Sequence, residues 1–399
     1  MFKPILAAVL SFALSACNPA KTDPADLTPW QDVLANEGLA ATEANLLLRT
    51  DSTENDFLLG GIQFLRASEA IMQVRYANTS TPLALIPGMR NQLPPNPDAE
   101  FDPAFLEIAM TQALTHLARA ETSLDLAAGK EFAVSFPLTS VWFDVNANGT
   151  REDWETALSV METLGAEPEA EFDGIVRFDS ADAYWLKAYV HVMSGMAELT
   201  LAADPTPAIR TVAEGSKAMQ EIGQVQSLFD SGNDWADTFA AVLLTLRGTP
   251  DKTRTRAAHR HFKAMIADNM SFWGTVMLET DDDHEWLPNP KQTSAFGVQI
   301  SQEMVDGWQE VLGEMSAIIE GEALIPYWRY NNGYDAEQGI GVNVAKFLQD
   351  PGDMDVVLWI HGAAAAPYLE TGTLAPMQAW RRFTRMTSGD GLIFAAWFN

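Results

Sequence analysis

The chain has a single cysteine, Cys17, among its 399 residues. One thiol cannot close a disulfide within the chain, so the fold must be stabilised by the burial of apolar side chains. The composition allows this, because 47% of the residues are hydrophobic and 12 are tryptophan, and a chain of this length can bury a sizeable core. We therefore expect a large hydrophobic core without covalent cross-links.

Apolar residues recur at helical spacing along most of the chain. Within residues 54–76, Phe57, Phe64, Ile71 and Val74 fall three or seven positions apart, which predicts an amphipathic helix despite the Gly-Gly pair near its start. Cap residues and the same spacing predict further helices at 103–128, 181–203, 207–229, 235–247, 253–272, 301–320 and 376–386. The predicted fold class is therefore mainly α, an array or bundle of antiparallel helix pairs.

Patterns typical of strands are sparse. Only 133–136 and the apolar run 356–360 are predicted to be extended, and no sharp domain boundary is visible. The loop 321–341 marks the start of a more irregular C-terminal portion. The alanine-rich stretches 64–70 and 116–121 resemble helices of tetratricopeptide-like arrays, but no 34-residue period accompanies them, so the resemblance implies architecture only.

The N-terminus has the features of an export signal. Lys3 precedes an apolar run from Ile5 to Leu14, which is about half the roughly 20 residues that a membrane-spanning helix needs. The residues Leu-Ser-Ala-Cys that end at Cys17 resemble the lipobox of bacterial lipoproteins. An ordinary secretory signal ending near Ala16, or a chance apolar start, is the alternative.

The lipobox resemblance implies a location and a membrane attachment. Residues 1–16 would be the signal peptide, 17–27 a lipidated tether and 28–399 the helical domain. Cys17 would carry fatty acyl groups such as palmitate on its thiol and new amino group, and the protein would face the periplasm. Asn18 is not the aspartate associated with inner-membrane retention, which favours the outer membrane. A consumed thiol also leaves no cysteine for catalysis or metal binding.

The charge of the chain excludes one class of partner. Asp and Glu number 54 against 25 Lys and Arg, giving a formal net charge of −29. Such a surface repels phosphate backbones, so we expect no nucleic-acid partner and expect membrane contact to occur through the lipid. An adaptation to a salty exterior explains the bulk charge equally well.

Residues 144–155, the Asp144 loop, follow the ligand spacing of a calcium-binding loop. Oxygen-bearing residues occupy positions one, three, five, seven, nine and twelve: Asp144, Asn146, Asn148, Thr150, Glu152 and Glu155. Gly149 stands at position six, where the chain must turn sharply. The loop resembles a single EF-hand-like calcium loop. The resemblance implies a backbone carbonyl ligand from Thr150, a bidentate Glu155 and an exiting helix from Asp153 onward.

Three departures argue against a calmodulin-like sensor. Arg151 replaces the apolar residue at position eight, no second loop of this kind is present, and no entering helix precedes the loop. We therefore expect a solitary calcium site that pins a turn, with a dissociation constant of roughly 10⁻⁴ to 10⁻³ M, as in extracellular modules. The alternative is an Asx-rich turn that caps the next helix without any ion.

Other polar residues form weaker candidates. The acidic stretch of Glu279, Asp281, Asp282, Asp283 and His284 is either a second metal site or a solvated loop. His259 and His261 stand two apart on a predicted helix and should face different sides, and His191 is expected to be a packing residue. The aromatic and basic segments 327–330 and 380–383 either line a pocket or pack in the core.

We favour a non-enzymatic, calcium-stabilised binding or assembly module with a protein partner in the envelope, and we assign no catalytic residue. The chain has no Gly-x-Ser-x-Gly nucleophile turn to accompany His361-Gly362. The alternative is an envelope enzyme or solute-binding protein with a pocket in the C-terminal third. It requires Glu279, His284, Arg329 and His361 to meet in one cleft.

Overall fold

The computed structural model describes residues 27–387 except 79–93, 95, 160–171, 173, 224–234, 283–284, 296, 298, 331, 333–335 and 377. The predicted signal peptide, Cys17 and all but the last residue of the predicted tether lie outside the described residues, as do Asp283 and His284.

The described chain is mainly α, as the periodicity predicts. Its helices are α1 Trp30–Leu47, α2 Thr53–Ala77, α3 Phe105–Ala127, α4 Ser180–Ala203, α5 Thr206–Ile222, α6 Trp235–Thr245, α7 Lys252–Val276, α8 Gln302–Glu320, α9 Val344–Gln349, α10 Val356–His361 and α11 Gln378–Met386. Its strands are β1 Ala133–Pro137, β2 Ile175–Asp179, β3 Ile325–Pro326, β4 Gln338–Val342 and β5 Leu369–Thr373.

Local sequence signals account for several helix boundaries. The Ser52, Asp179, Asp251 and Ser301 side chains each accept a hydrogen bond from a backbone N–H of the first turn that follows. Such caps satisfy donors that have no partner within the helix. At the other end of α8, Gly321 adopts the left-handed conformation (φ 78°) that commonly ends a helix. α1 has no such signals and is kinked at Gly38, which explains why the periodicity does not predict it.

Six helices, α2, α3, α4, α7, α8 and α11, pack one after another. Neighbours run antiparallel, because residues early in one helix meet residues late in the next. Gly60 of α2 lies against Leu124 of α3, and Lys187 of α4 bonds Asp125 near the end of α3. The main core forms between these helices, so the prediction of antiparallel helix pairs is confirmed.

Two small antiparallel sheets accompany the helices. β1 pairs with β2, so the prediction of a strand at 133–136 is confirmed, and β3, β4 and β5 form a sheet in the C-terminal portion. The prediction of a strand at 356–360 is wrong, because these residues form α10. Asp355 caps that helix, Gly362 ends it with φ 104°, and Trp359 stacks on Tyr368. Local capping thus overrides the strand propensity of the apolar run.

None of the helices in the described parts of the chain combines the length and the apolar character that a membrane-crossing segment needs.

Candidate metal-binding sites

The Asp144 loop is closed at its base by paired backbone. Trp142 and Thr156 form an antiparallel bridge, Phe143 N–H donates to the carbonyl of Glu155 at 2.9 Å, and Ala157 N–H donates to that of Val141 at 3.0 Å. The loop therefore begins and ends in extended chain, without an entering helix.

The prediction of a helix that runs continuously from Asp153 is wrong. Residues Asp153–Glu155 form a single 3-10 turn, and α-helical backbone starts only at residue 157. The reason is the bridge to Trp142, which holds Thr156 extended (ψ 147°) and so interrupts the helix.

Within the loop, the side-chain oxygens at positions one, three and five organise the turn. Asp144 Oδ2 accepts from Gly149 N–H at 3.0 Å, Asn146 Oδ1 from Asn148 N–H at 3.1 Å, and Asn148 Oδ1 from Thr150 N–H at 2.7 Å. Gly149 has φ +70°, the conformation that glycine adopts without strain. These bonds fold the loop backbone through the side chains at three of the predicted ligand positions.

The other carboxylate oxygen of Asp144 is in an energetically unfavourable environment. Asp144 Oδ1 is buried and makes no hydrogen bond in the structure. Leaving a charged acceptor desolvated and unsatisfied costs about 1–3 kcal/mol or more, so such an atom commonly marks a site for a cation or water. It stands at position one, which supplies the first ligand in calcium loops.

Glu155 is fully buried and serves the loop backbone. One carboxylate oxygen accepts from Val145 N–H at 2.8 Å and Asn146 N–H at 3.4 Å, and the other accepts from Glu152 N–H at 3.2 Å. Burial raises the pKa of Glu155, and these N–H donors oppose that rise. A bidentate ligand role would require Glu155 to weaken these bonds.

The oxygen donors fit a calcium ion in part. Asp144, Asn146 and Asn148 present hard oxygens of the kind that calcium prefers, and Thr150 can add its carbonyl. Glu152 Oε2 accepts from the Asn146 amide at 2.8 Å, so positions three and nine are in contact. Position twelve is the point where the structure and the EF-hand-like pattern differ most.

Helix α2 contacts the loop directly, although it lies far from the loop in sequence, so local spacing does not reveal this support. The buried Glu69 carboxylate accepts the Asp144 N–H at 2.9 Å, and the Gln73 amide donates to the Asp144 carbonyl at 2.7 Å. The two residues are four apart on one face of the helix. Position one of the loop is thus held through both of its backbone groups.

Helix α1 anchors the base of the loop. The Trp142 ring is fully buried, and its Nε1 donates to the Leu34 carbonyl at 3.0 Å. Gly38 makes room for the ring, since a Cβ there would lie 2.9 Å from Trp142.

A second acidic site, the carboxylate cluster, combines Asp179, Glu279 and Glu285, each with an oxygen within 4.8 Å of the others. The cluster therefore takes Glu279 from the acidic stretch considered above and Glu285 from directly after it. Burial, followed by the charge of Asp179, raises the pKa of Glu279 to about 8. Asp282 instead accepts from Thr293. Asp179 belongs to β2, so the acidic stretch alone could not reveal the group.

The histidines of α7 face different sides, as their spacing predicts. His259 contacts the Ile319 carbonyl and the Gln349 amide, whereas His261 meets His191 of α4, with 3.0 Å between their Nδ1 atoms. His191 is buried and hydrogen-bonded, as expected of a packing residue, but its partner comes from a helix 70 positions away. Glu121 of α3 completes this His-Glu cluster, with one ligand atom of each residue within 4.8 Å.

The polar residues of the C-terminal third belong to separate places. The Arg329 guanidinium donates to the backbone carbonyl of His361, and Tyr327 packs against Gly362. Glu279 lies in the carboxylate cluster instead, and Phe383 is buried against Trp308 in the helical core. The described residues thus bring Arg329 and His361 together without placing Glu279 beside them.

No family model, curated protein or solved structure matches this chain. The geometry of its own residues therefore carries the functional argument.

Proposed function

We propose that the protein is a lipid-anchored component of the bacterial cell envelope that binds calcium through the Asp144 loop and acts as a binding or assembly module rather than an enzyme. The observation that carries the calcium assignment is the buried Asp144 Oδ1, which makes no hydrogen bond while Oδ2 of the same carboxylate holds Gly149. A calcium ion coordinated there would satisfy this oxygen.

The position of the loop defines what calcium would do. The bound ion would join Asp144, held by Glu69 and Gln73 of α2, to the turn at Asn146 and Asn148. It would thereby fasten the loop to the helical core. Glu155 contributes chiefly by holding the loop backbone, and the ion would have fewer charged ligands than in a sensor site. A dissociation constant of about 10⁻⁴ to 10⁻³ M follows, which suits a structural ion outside the cell.

The envelope location rests on the lipobox-like residues that end at Cys17. The net charge of −29 supports attachment through lipid rather than through contact of the folded domain with anionic headgroups. Replacing Cys17 by Ser should release the protein into the soluble envelope fraction or leave the signal uncleaved. Normal processing with unchanged membrane retention would contradict the lipid anchor.

The calcium assignment is tested by thermal unfolding of the chelator-stripped protein during titration with calcium. A ligand that binds only the folded state stabilises it by about 1.4 kcal/mol at tenfold excess over the dissociation constant, so the melting temperature should rise at millimolar calcium. Magnesium should have a smaller effect, because it prefers a more regular octahedron.

Asp144→Asn is the decisive variant. The asparagine amide has the same shape as the carboxylate and can still accept a hydrogen bond from the Gly149 N–H. The substitution nevertheless removes the negative charge at position one of the loop. The calcium-dependent rise in melting temperature should be lost. Asp153→Asn is the matched control, since Asp153 is exposed at position ten, and it should keep the full response.

A second control separates the two acidic sites. Glu279→Gln changes the carboxylate cluster and should leave the calcium response intact. If wild-type protein shows neither binding heat nor a thermal shift at several millimolar calcium, the Asp144 loop is only a capped turn. A response lost in Glu279→Gln and kept in Asp144→Asn would place the ion in the carboxylate cluster instead.

A further inference from the structure

Three helices of the bundle bring polar side chains to one place. Glu121 on α3 and His261 on α7 are half-buried, and His191 on α4 is buried between them. Each helix adds a second charged residue on the same face: Asp125 on α3, Lys187 on α4 and Asp268 on α7. The spacings of four and seven residues put both members of each pair on one side of their helix.

The two imidazoles approach each other through their Nδ1 atoms at hydrogen-bonding distance. Their Nδ1 atoms are 3.0 Å apart, and the carboxylate of Glu121 offers an oxygen within 4.8 Å of both histidines. For metal–nitrogen bonds of about 2.0–2.1 Å, two nitrogens on one ion lie about 2.9 Å apart at a right angle and about 3.3 Å apart at the tetrahedral angle. The observed separation falls within that range.

Asp268 favours Nδ1 of His191 as the ligand atom. Its Oδ2 atom is buried, has no hydrogen-bond partner and lies 3.4 Å from His191 Nε2. The negative charge of a carboxylate at this distance favours the tautomer with the imidazole proton on Nε2 and the lone pair on Nδ1. Metal-bound histidines commonly have such a carboxylate behind them.

The charge around the His-Glu cluster favours a cation. Burial lowers the pKa of His191 to about 4 and also lowers that of His261, so both rings are neutral near pH 7, as metal ligands must be. Glu121, Asp125 and Asp268 contribute three carboxylates against the ammonium of Lys187, which bonds Asp125 at 2.7 Å. Glu198 and Arg260, which also act on His261, add one charge of each sign. The formal charge of these groups is −2, the charge that a divalent ion neutralises.

We propose that Glu121, His191 and His261 bind one divalent transition-metal ion, through Nδ1 of each histidine and a carboxylate oxygen of Glu121. In the metal-free protein one Nδ1 donates to the other. With Asp268 holding the proton of His191 on Nε2, binding moves the proton of His261 from Nδ1 to Nε2 and releases none. Two imidazoles and one carboxylate suit zinc, iron(II) or cobalt(II) rather than calcium, which prefers oxygen.

Three protein ligands leave coordination positions for water or a small ligand with an oxygen or nitrogen donor. Closed structural sites use four ligands, whereas an open position is typical of metal centres that bind or convert a second molecule. Glu121 and His261 are half-buried, so solvent reaches two of the three proposed ligands. This site is independent of the Asp144 loop.

Cobalt(II) is the probe, because its visible absorption reports nitrogen and oxygen coordination. The full chain, untagged and carrying Cys17→Ser to remove the lone thiol, is stripped with chelator and titrated with cobalt(II), then with zinc(II) in competition. We expect one equivalent of cobalt to produce visible bands and one equivalent of zinc to abolish them.

The two half-buried ligands are changed one at a time, in Glu121→Gln and in His261→Asn. Each variant should bind cobalt at least about 100-fold more weakly than the parent, since even changes to residues behind the ligands cost about 10- to 100-fold in affinity. Asp268→Asn changes such a residue and should weaken binding by about 10- to 100-fold. The matched controls are Glu107→Gln on α3 and His259→Asn on α7, and both should bind as the parent does. Asp144→Asn should also leave cobalt binding unchanged.

Circular dichroism checks that each variant is folded. Failure of the parent to bind stoichiometric cobalt or zinc would overturn the proposal and leave a hydrogen-bonded histidine pair. Equal binding by the parent, Glu121→Gln and His261→Asn would also overturn it. A loss in His259→Asn with full binding in His261→Asn would place the metal elsewhere.

Discussion

The backbone N–H of Asp144 donates to the carboxylate of Glu69 at 2.9 Å, across 75 positions of sequence. Glu69 is 1% exposed, and its other oxygen pairs with Arg66. Burial raises the pKa of Glu69, and the nearby Arg66 charge and the Asp144 N–H oppose that rise. The first residue of the Asp144 loop is therefore positioned by the buried carboxylate of an ion pair on α2.

We expect Glu69→Ala to destabilise the protein by about 1–3 kcal/mol, because it leaves the Asp144 N–H without its acceptor. Arg66 would keep only the more distant Glu43 carboxylate, at 3.9 Å. Urea unfolding measures the loss. The calcium response of the loop should weaken in parallel. Glu54→Ala, at an exposed position of the same helix, is the control and should change stability by less than about 0.5 kcal/mol. Equal effects of the two substitutions would show that Glu69 does not position the loop.

Gly38→Ala should destabilise the base of the Asp144 loop. Gly38 has φ +82°, and an added Cβ would lie 2.9 Å from the buried Trp142 ring. The left-handed conformation alone costs about 1–3 kcal/mol for a residue with a side chain. Gly215→Ala is the control, because nothing lies within 4 Å of a Cβ there, and helix propensity predicts a gain of about 0.5–1 kcal/mol. A Gly38→Ala variant as stable as the wild-type protein would contradict the observed packing of Trp142.

Gly195→Ala tests the close approach of α4 and α7. A Cβ at Gly195 would lie 2.7 Å from the Phe262 ring. Phe262 follows His261 in α7, and Gly195 is one helical turn from His191 in α4. Overpacking of this kind costs about 1–3 kcal/mol, and it should separate the histidine rings. Both the midpoint of urea unfolding and the affinity for cobalt should fall. Phe262→Leu in the same chain should restore part of both. If the double variant has the same unfolding midpoint and cobalt affinity as Gly195→Ala, the contact between Gly195 and Phe262 does not set the spacing of the histidine rings.

The carboxylate cluster should make stability depend on pH. The pKa of Glu279 rises from 4.5 to about 8 on folding, so the folded state holds a proton that the unfolded state has released over that interval. This contribution is complete below pH 4.5 and is lost as the pH rises through about 8. Glu279→Gln carries a permanently neutral side chain, so its unfolding free energy should fall less between pH 5 and 8. Parallel pH profiles for the two proteins would exclude a raised pKa.

Local sequence determines the helices, because caps and apolar periodicity act within one or two turns. α2, α4 and α7 lie within a few residues of their predicted bounds, and the Asx turns of Asn146 and Asn148 lie where the spacing puts them. The apolar run in α10 shows the limit of this reasoning. Strand propensity alone is misleading where Asp355 and Gly362 supply a start and a stop.

The support of each site is a tertiary property. Glu69 meets Asp144, and His261 meets His191, only because helices distant in sequence pack closely. Spacing shows that His259 and His261 face different sides, but it cannot show what either side faces. The mainly helical class, the lipobox-like start and the oxygen-rich loop can be predicted from the amino-acid order, since these features depend on neighbouring residues. The backbone N–H groups that Glu155 holds and the His-Glu cluster shared by three helices are seen only in three dimensions, because burial and long-range packing set those partners.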